Sequence, residues 1–363
     1  MIKKFLKLFG IFLVFILLAK FIYSQGWYAI TITNTQSQST PAPFQQDIAI
    51  CNGNPNLPSN FAYVDNSTLF NQINSNGQNV YFTTTAGGTS NIYSWYEGQL
   101  TYNGVTCDVW WVNISNGIPA NSNVTIYMNI GPNSANYYSQ YYPYVGEAPQ
   151  LSSIYGQYDN GNYVFLFYDN FVGTSLNTNK WISYTYSTTI TVDNGLTVQS
   201  SGSSTYGGLI TSSGFPKNTI FDAYLHSFTV QSSSYNGAHG IGVQVGNSAS
   251  SNGYEYTSWT DFNPNGGTIA YGSMQNGMSA FLAGPNFPTS NSIISGYWVS
   301  TGNEGFGVNY YFVSTNNNAV SNPGYNYYSL GAYYCAQSAT SVWYWARIRY
   351  MPPNNVMPSI YIS

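Results

Sequence analysis

Charge is what this 363-residue sequence has least of: 6% of its residues are charged, against 18% aromatic. The shortage is uneven. Lys3, Lys4, Lys7 and Lys20 supply half of the eight basic residues within the first twenty positions. Residues 26–363 carry only Lys180, Lys217, Arg347 and Arg349 against twelve acids, a net of −8. No basic stripe is present to neutralise phosphates, which argues against a nucleic-acid partner. Few titrating groups also leave few whose pKa can change on folding. Stability is therefore expected to depend weakly on pH, as would suit an acidic or otherwise harsh exterior.

Cysteine is scarce too, at three residues with no C-x-x-C spacing, so zinc held by cysteine is not expected. An odd count in an oxidising compartment leaves one thiol over. Cys51 and Cys107 fall in the same half of the chain and are the expected bridge; the alternative is three buried thiols acting as small apolar residues. Neither reading assigns the state of Cys335. His226 and His239, the two histidines, stand far from any cysteine or acidic cluster, so neither a metal site nor a triad is expected. No G-x-S-x-G elbow, phosphate-binding loop or dinucleotide glycine pattern occurs in a strand-to-helix setting, and no cofactor is expected. Good helix formers are also few. Gly, Asn, Ser, Thr and Tyr replace them, which moves the expectation to an all-β protein.

One long apolar run is present, at the start. Lys3, Lys4 and Lys7 precede the run Leu8–Ala19, and Lys20 follows it. Twelve residues suit a signal-peptide core better than a full span of about 20. With Lys7 and Lys20 snorkelling, residues 5–23 would instead form a membrane anchor. Both readings place residues 26–363 outside, secreted or anchored, because the lysines hold the N-terminus in the cytoplasm.

After that segment, residues 26–146 form the first expected domain. Trp27–Asn34, Gln46–Ile50 and Asn79–Thr83 read as strands. Cys107–Ile114 and Val124–Ile130 read as a hairpin around the turn Asn116–Asn121, with Val124, Ile126, Met128 and Ile130 on one face. Residues 147–162 are rich in turn formers and read as a linker. Residues 163–363 form the second expected domain. Its candidate strands are Ile220–Val230, Gly240–Val245, Gly253–Thr260, Gly267–Gly272 and Gly305–Ser314, and Ser341–Tyr350 comes last.

Two resemblances sharpen this. The ordered set Trp27–Asn34, Tyr93-Ser94-Trp95-Tyr96-Glu97, Val109-Trp110-Trp111-Val112, Ile118-Pro119-Ala120 and Thr125-Ile126-Tyr127-Met128 resembles a domain of unknown function found in archaeal and bacterial surface proteins. A charged strand of that family stands here as Asn79-Val80-Tyr81-Phe82, without its charges. The stretch Phe167–Phe171, Gly173-Thr174-Ser175-Leu176, Lys180-Trp181 and Asn194–Val198 resembles the entry to a concanavalin-like, laminin-G-like jelly roll. Together they imply two β-sandwich domains on the surface of an archaeon or an archaeal virus. No catalytic residues are implied.

Within the second domain, Tyr254, Glu255, Tyr256, Trp259 and Asp261 are the candidate sugar site, because aromatic faces stack on sugar rings while carboxylates take hydroxyls. The bland alternative is an ordinary strand. The E-x-D-x-x-E strand of laminarinase-type hydrolases is absent, so the two-carboxylate chemistry of glycosidases has no seat. Asp169 and Asn170 read as calcium ligands or, more simply, as a turn-capping pair. Sequons at Asn66, Asn113 and Asn123 mark possible glycan attachment in the first domain. The expected function is a non-catalytic structural or adhesive surface protein facing envelope or particle-surface components, including glycans. A carbohydrate-binding module is the alternative, and a glycan-processing enzyme stands behind it.

Overall fold

A computed structural model describes residues 26–363 apart from 202–204, 231–239, 247–256, 263–267, 275–281, 287–289, 300–302, 317–324 and 336–337. The apolar segment 1–25, expected as a hydrophobic helix that is a signal peptide or an anchor, lies outside the described residues. Among the described residues no helix is long and apolar enough to cross a membrane.

The protein is all-β, and its described residues form four sheets. Sheet I runs in spatial order through β25 (Ser359–Ile362), β1 (Gly26–Asn34), β7 (Ser122–Ile130) and β4 (Val80–Thr83). Sheet II runs through β3 (Tyr63–Asp65), β2 (Phe44–Cys51), β6 (Val105–Ile114), β5 (Ser94–Tyr102) and β8 (Val145–Glu147). Sheet III contains β11 (Thr188–Val192), β12 (Leu196–Ser201), β24 (Ser338–Tyr350), β15 (Thr219–Val230), β20 (Ser290–Trp298), β21 (Asn303–Val308) and β22 (Tyr311–Asn316). A short β9 (Phe167–Asp169) also pairs with β24. Sheet IV contains β10 (Trp181–Tyr186), β13 (Thr205–Thr211), β23 (Tyr325–Cys335), β16 (Gly240–Gly246), β17 (Thr257–Phe262), β18 (Thr268–Met274) and β19 (Leu282–Asn286), with β14 (Phe215–Pro216) beside β23.

The sheets stack as layers. Trp110 of sheet II meets Phe82 of sheet I edge-on at 6.1 Å, within a core that also takes Ile30, Ile126 and Met128. On the other face of sheet II, Trp95 meets Trp345 of sheet III edge-on at 5.2 Å. Sheet III buries its remaining face against sheet IV through Leu225, Trp343, Ile348, Leu209 and Leu330. Being covered on both sides, sheet II has a central strand, β2, that is buried at all eight positions, the pattern expected of a two-sided core strand. Cys51 and Cys107 lie opposite each other in the β2–β6 register and form a disulfide.

Three features differ from the sequence reading. The stretch Cys107–Ile130 is not a hairpin: β6 lies in sheet II and β7 in sheet I. Both edges of β6 are already taken, by β2 and β5. The connection is pinned instead to the β1–β2 loop. Ile118 N–H donates to Thr40 Oγ1 at 2.7 Å, Thr40 N–H donates to the Ile118 carbonyl, and Ile118 is buried. The hairpin is β5–β6, closed by Asn103-Gly104 with φ of 49° and 82°, the two positive values that a tight primed turn demands.

The second difference is at residues 147–162, which do not hang between domains. Glu147, Ala148, Asp159 and Asn160 are buried. Asp159 accepts hydrogen bonds from Trp95, Tyr168 and Asn170 at 2.8 Å each, so it ties sheet II to the start of the second domain. The third is the chain end. β25 pairs antiparallel with β1, Ile32 opposite Ile360, so residues 359–362 join sheet I and not the sheets built from residues 167–350.

Candidate functional site

Sheets II and III meet on a charged face. Asp222 on β15 and Arg347 on β24 are register partners, and Arg349 follows two residues on, so all three point away from the apolar III–IV core. Arg347 Nε and Arg349 Nε approach Asp222 Oδ2 at 3.0 and 2.8 Å, and Arg347 Nη1 approaches Glu97 Oε2 of sheet II at 2.7 Å. Trp111 Nε1 donates to Glu97 Oε2 at 2.7 Å and Ser295 Oγ donates to Asp222 Oδ1 at 2.6 Å. The Arg347 guanidinium lies 4.6 Å from the Trp111 ring centroid and 4.7 Å from those of Phe165 and Trp345. An always-charged, planar group fits such an aromatic box better than an ammonium would.

Tyr310 completes the network from the tip of the β21–β22 hairpin. The single strand expected over Gly305–Ser314 is broken there by Asn309 and Tyr310, with φ of 47° and 67°. Positive φ is unusual for a bulky residue and costs on the order of 1–3 kcal/mol. The seam holds it in place. The ring stacks on Phe61 at 4.6 Å, the hydroxyl lies 2.6 Å from both Glu97 oxygens, and Asn60 Nδ2 donates to the Tyr310 carbonyl.

Burial governs the ionisation of these groups. It would by itself raise the Asp222 carboxyl, but Arg349 and Arg347 hold it below its ordinary value. It would lower Arg347, but Tyr310, Glu97 and Asp222 raise it. Elsewhere burial wins. Asp47 is pushed up to about 8 although it accepts the Ala62 N–H. Glu147 is pushed up to about 7, and Asp108 and Asp159 to about 6, each by burial first. Seven of the nine acids whose side chains are described are buried, as are both arginines. Burial gives pH a route to stability that composition alone did not show: the titrating groups are few, but most of the described ones are inside.

The same β15–β24 face opens into a pocket beyond the network. Its volume is about 360 Å³. One wall is Gln150, Ser152, Ser153 and Tyr155, from the segment joining the two sandwiches. The other is Tyr224, His226 and Tyr344 on β15 and β24, with Asn291 at the rim. His226 stacks on Tyr344 at 4.1 Å, and Tyr224 lies nearly parallel to Tyr344 at 6.2 Å and 8°. Burial raises Tyr224 to about 12 and also raises Tyr344, so both hydroxyls stay protonated. No sequence motif pointed to this group, because its members are spread over nearly 200 residues. His226, one of the two histidines, is noted in the sequence, but no site is expected from it.

Of the sugar-site candidates, Tyr254, Glu255 and Tyr256 lie outside the described residues. Trp259 and Asp261 sit on β17 of sheet IV, opposite Gly272 and Ala270 of β18, in a different sheet from the pocket. His239 is also outside the described residues. Asp169 and Asn170 are engaged as a turn: Asp169 accepts Phe171 N–H and Trp181 Nε1, and Asn170 accepts Val172 N–H. Among the described residues no group of His, Cys, Asp or Glu is placed to hold a metal ion. The sequons differ. Asn123 is exposed, Asn66 caps a helical turn through Oδ1, and Asn113 donates its Nδ2 to the Tyr163 carbonyl at 3.0 Å.

No protein-family model matches the chain. "Uncharacterized protein 562" of Sulfolobus islandicus rod-shaped virus 1 is 39% identical over 146 residues, which are 39% of this chain and 21% of that protein. The chain thus spans about a fifth of the length of the curated relative it matches. Solved structures with some likeness include one from work on gut-bacterial endo-acting O-glycanases, with a TM-score of 0.41 and 14% identity over 51% of this chain and 99% of that one. A β-1,3-glucanase from Mycobacterium marinum gives a TM-score of 0.37 and 14% identity over 51% of this chain and 98% of that one. A cellulose-induced protein gives 0.39 and 12% over 50% and 96%.

Proposed function

We propose that the chain is a non-catalytic structural or adhesive protein of an exterior surface, secreted or anchored, whose partners are envelope or particle-surface components including glycans. The observation that carries this reading is where the charge sits. Seven of the nine described acids and both arginines are buried, Glu97, Asp222 and the two arginines joining sheet II to sheet III, and the described exterior is left mostly to amides, hydroxyls and aromatic rings. A surface so poor in charge steers partners little, and its adhesion is expected to depend weakly on salt. The Cys51–Cys107 disulfide suits an oxidising exterior. A second reading, a carbohydrate-binding module, is favoured by the open pocket, whose rings and neutral polar groups suit a sugar better than an ion.

The test is binding of the purified protein to intact cell envelopes and to a panel of insoluble polysaccharides, at pH 3 and pH 7, with release of reducing sugar followed in parallel. Envelope binding without sugar release is the expected result. Release of soluble sugar would overturn the non-catalytic reading.

A further inference from the structure

We infer that the pocket between residues 150–155 and the β15–β24 face is a binding site for a neutral sugar unit. The inference rests on the adhesive reading above and gives it a recognition site.

The backbone is shaped at this spot. Along β15 and β24 the pairing runs Tyr224 to Trp345, then Leu225 to Trp343, then Ser227 to Val342. Tyr344 is skipped on one strand and His226 on the other. Two single-residue bulges thus follow one another, and the second restores the register lost at the first. Bulges re-aim side chains. The two residues skipped are the two whose rings stack, and both line the pocket.

The lining chemistry selects the ligand. It offers aromatic rings for a C–H face, and the amides of Gln150 and Asn291 and the His226 imidazole for hydroxyls. Among the described residues no Asp, Glu, Lys or Arg lines the pocket, so a charged sugar would be desolvated there without a counter-ion. At about 360 Å³ the volume is near the small end of ligand pockets and fits one or two rings.

The walls are also held in place. The Tyr155 hydroxyl lies 2.7 Å from the Asn170 carbonyl and 2.6 Å from the Tyr344 carbonyl, which fixes the joining segment to β24. Ser152 Oγ donates to Glu147 Oε1 at 2.6 Å. A site ordered before the ligand arrives loses less entropy on binding.

The experiment is calorimetric titration of the whole protein with glucose, galactose, mannose, N-acetylglucosamine and their disaccharides, with glucuronate as the charged comparison. Saturable binding of at least one neutral sugar, in preference to glucuronate, is expected. His226→Ala and Asn291→Gly should each weaken it by about tenfold or more at unchanged melting temperature, and Trp259→Ala on sheet IV should not. Absence of saturation with every neutral sugar, or unchanged affinity in both pocket variants, would overturn the assignment. Envelope binding separates the two claims. If the wild-type protein still binds envelopes when the sugars fail, only the pocket falls; if envelope binding fails too, the adhesive reading falls with it.

Discussion

The outer face of β15 and β24 does two different things along its length. At one end Asp222, Arg347 and Arg349 are sealed under sheet II, and every charge has an opposite charge or a ring against it. At the other end Tyr224, His226 and Tyr344 carry no formal charge partner and face open space. Both ends belong to the same two strands and lie under the same neighbouring body. The paired bulges separate them: they disturb the alternation that aims side chains evenly at sheet II. A sheet face is therefore not one chemical surface. Here a one-residue slip and its correction turn a lock into a pocket.

The largest effect should come from breaking the lock. Arg347→Met leaves Glu97 buried without its cation and Asp222 with Arg349 alone, and should cost about 3–5 kcal/mol in urea unfolding. The pair Arg347→Met with Glu97→Leu should recover much of that loss, because two apolar groups replace one stranded charge. If the double variant is no better than the single one, the cost lies in lost packing rather than in the uncompensated Glu97 carboxylate.

A smaller cost should follow Tyr310→Phe, which removes the hydroxyl shared by Glu97 and Arg347 and keeps the ring on Phe61. About 1–3 kcal/mol is expected, with both sandwiches otherwise intact. An unchanged unfolding midpoint would mean that the hydroxyl adds nothing to a Glu97 already satisfied by Arg347 and Trp111.

The pH dependence has a definite sign. The folded state raises Asp47 to about 8 and Glu147 to about 7, from ordinary values of 3.8 and 4.5. Between those ordinary values and the raised ones the folded protein holds more protons than the unfolded chain, so stability falls as pH rises. Asp108 and Asp159 act the same way up to about 6. Asp222 acts oppositely: its contribution is present above 3.8 and is lost as pH falls through its depressed folded value. Thermal stability should therefore peak near pH 4 and drop by roughly 5 °C or more at pH 8. Asp47→Asn should flatten the upper part of that slope. A melting curve flat from pH 4 to pH 8 would contradict the burial of these carboxyls.

The open end should be nearly silent in stability. His226→Ala and Asn291→Gly are expected to stay within about 0.5 kcal/mol of the parent, and glycine fits the φ of 48° at Asn291. A large loss at either site would mean that the pocket wall is part of the lock. The same contrast between engaged and open groups ranks the sequons. Mass spectrometry of protein from a glycosylating host should find Asn123 occupied before Asn66, and Asn113 least.

Much of the fold was legible in the residues. Scarce helix formers and dense β-branched and aromatic runs mark an all-β chain, and the strands β1, β2, β4, β6 and β7 sit close to where alternation places them. The Asn103-Gly104 turn is passed over in the sequence reading, although that dipeptide favours two consecutive positive φ values, and the hairpin is placed one connection later. The β6–β7 crossing was not legible. Alternation tells which face of a strand is buried but not which sheet the strand joins, and a turn containing proline serves a hairpin and a crossover equally well.

The sequence by itself determined the scarcity of charge, the class of fold and the short periodic strands, because those follow from composition and from local backbone preference. Only the tertiary structure decided where the charge went. Glu97, Asp222 and Arg347 are more than a hundred residues from one another in sequence, and pairing at that range depends on which sheet covers which. The pocket has the same origin. Its two stacked rings meet only because a bulge on each strand, invisible to any local pattern, brings residues 226 and 344 face to face.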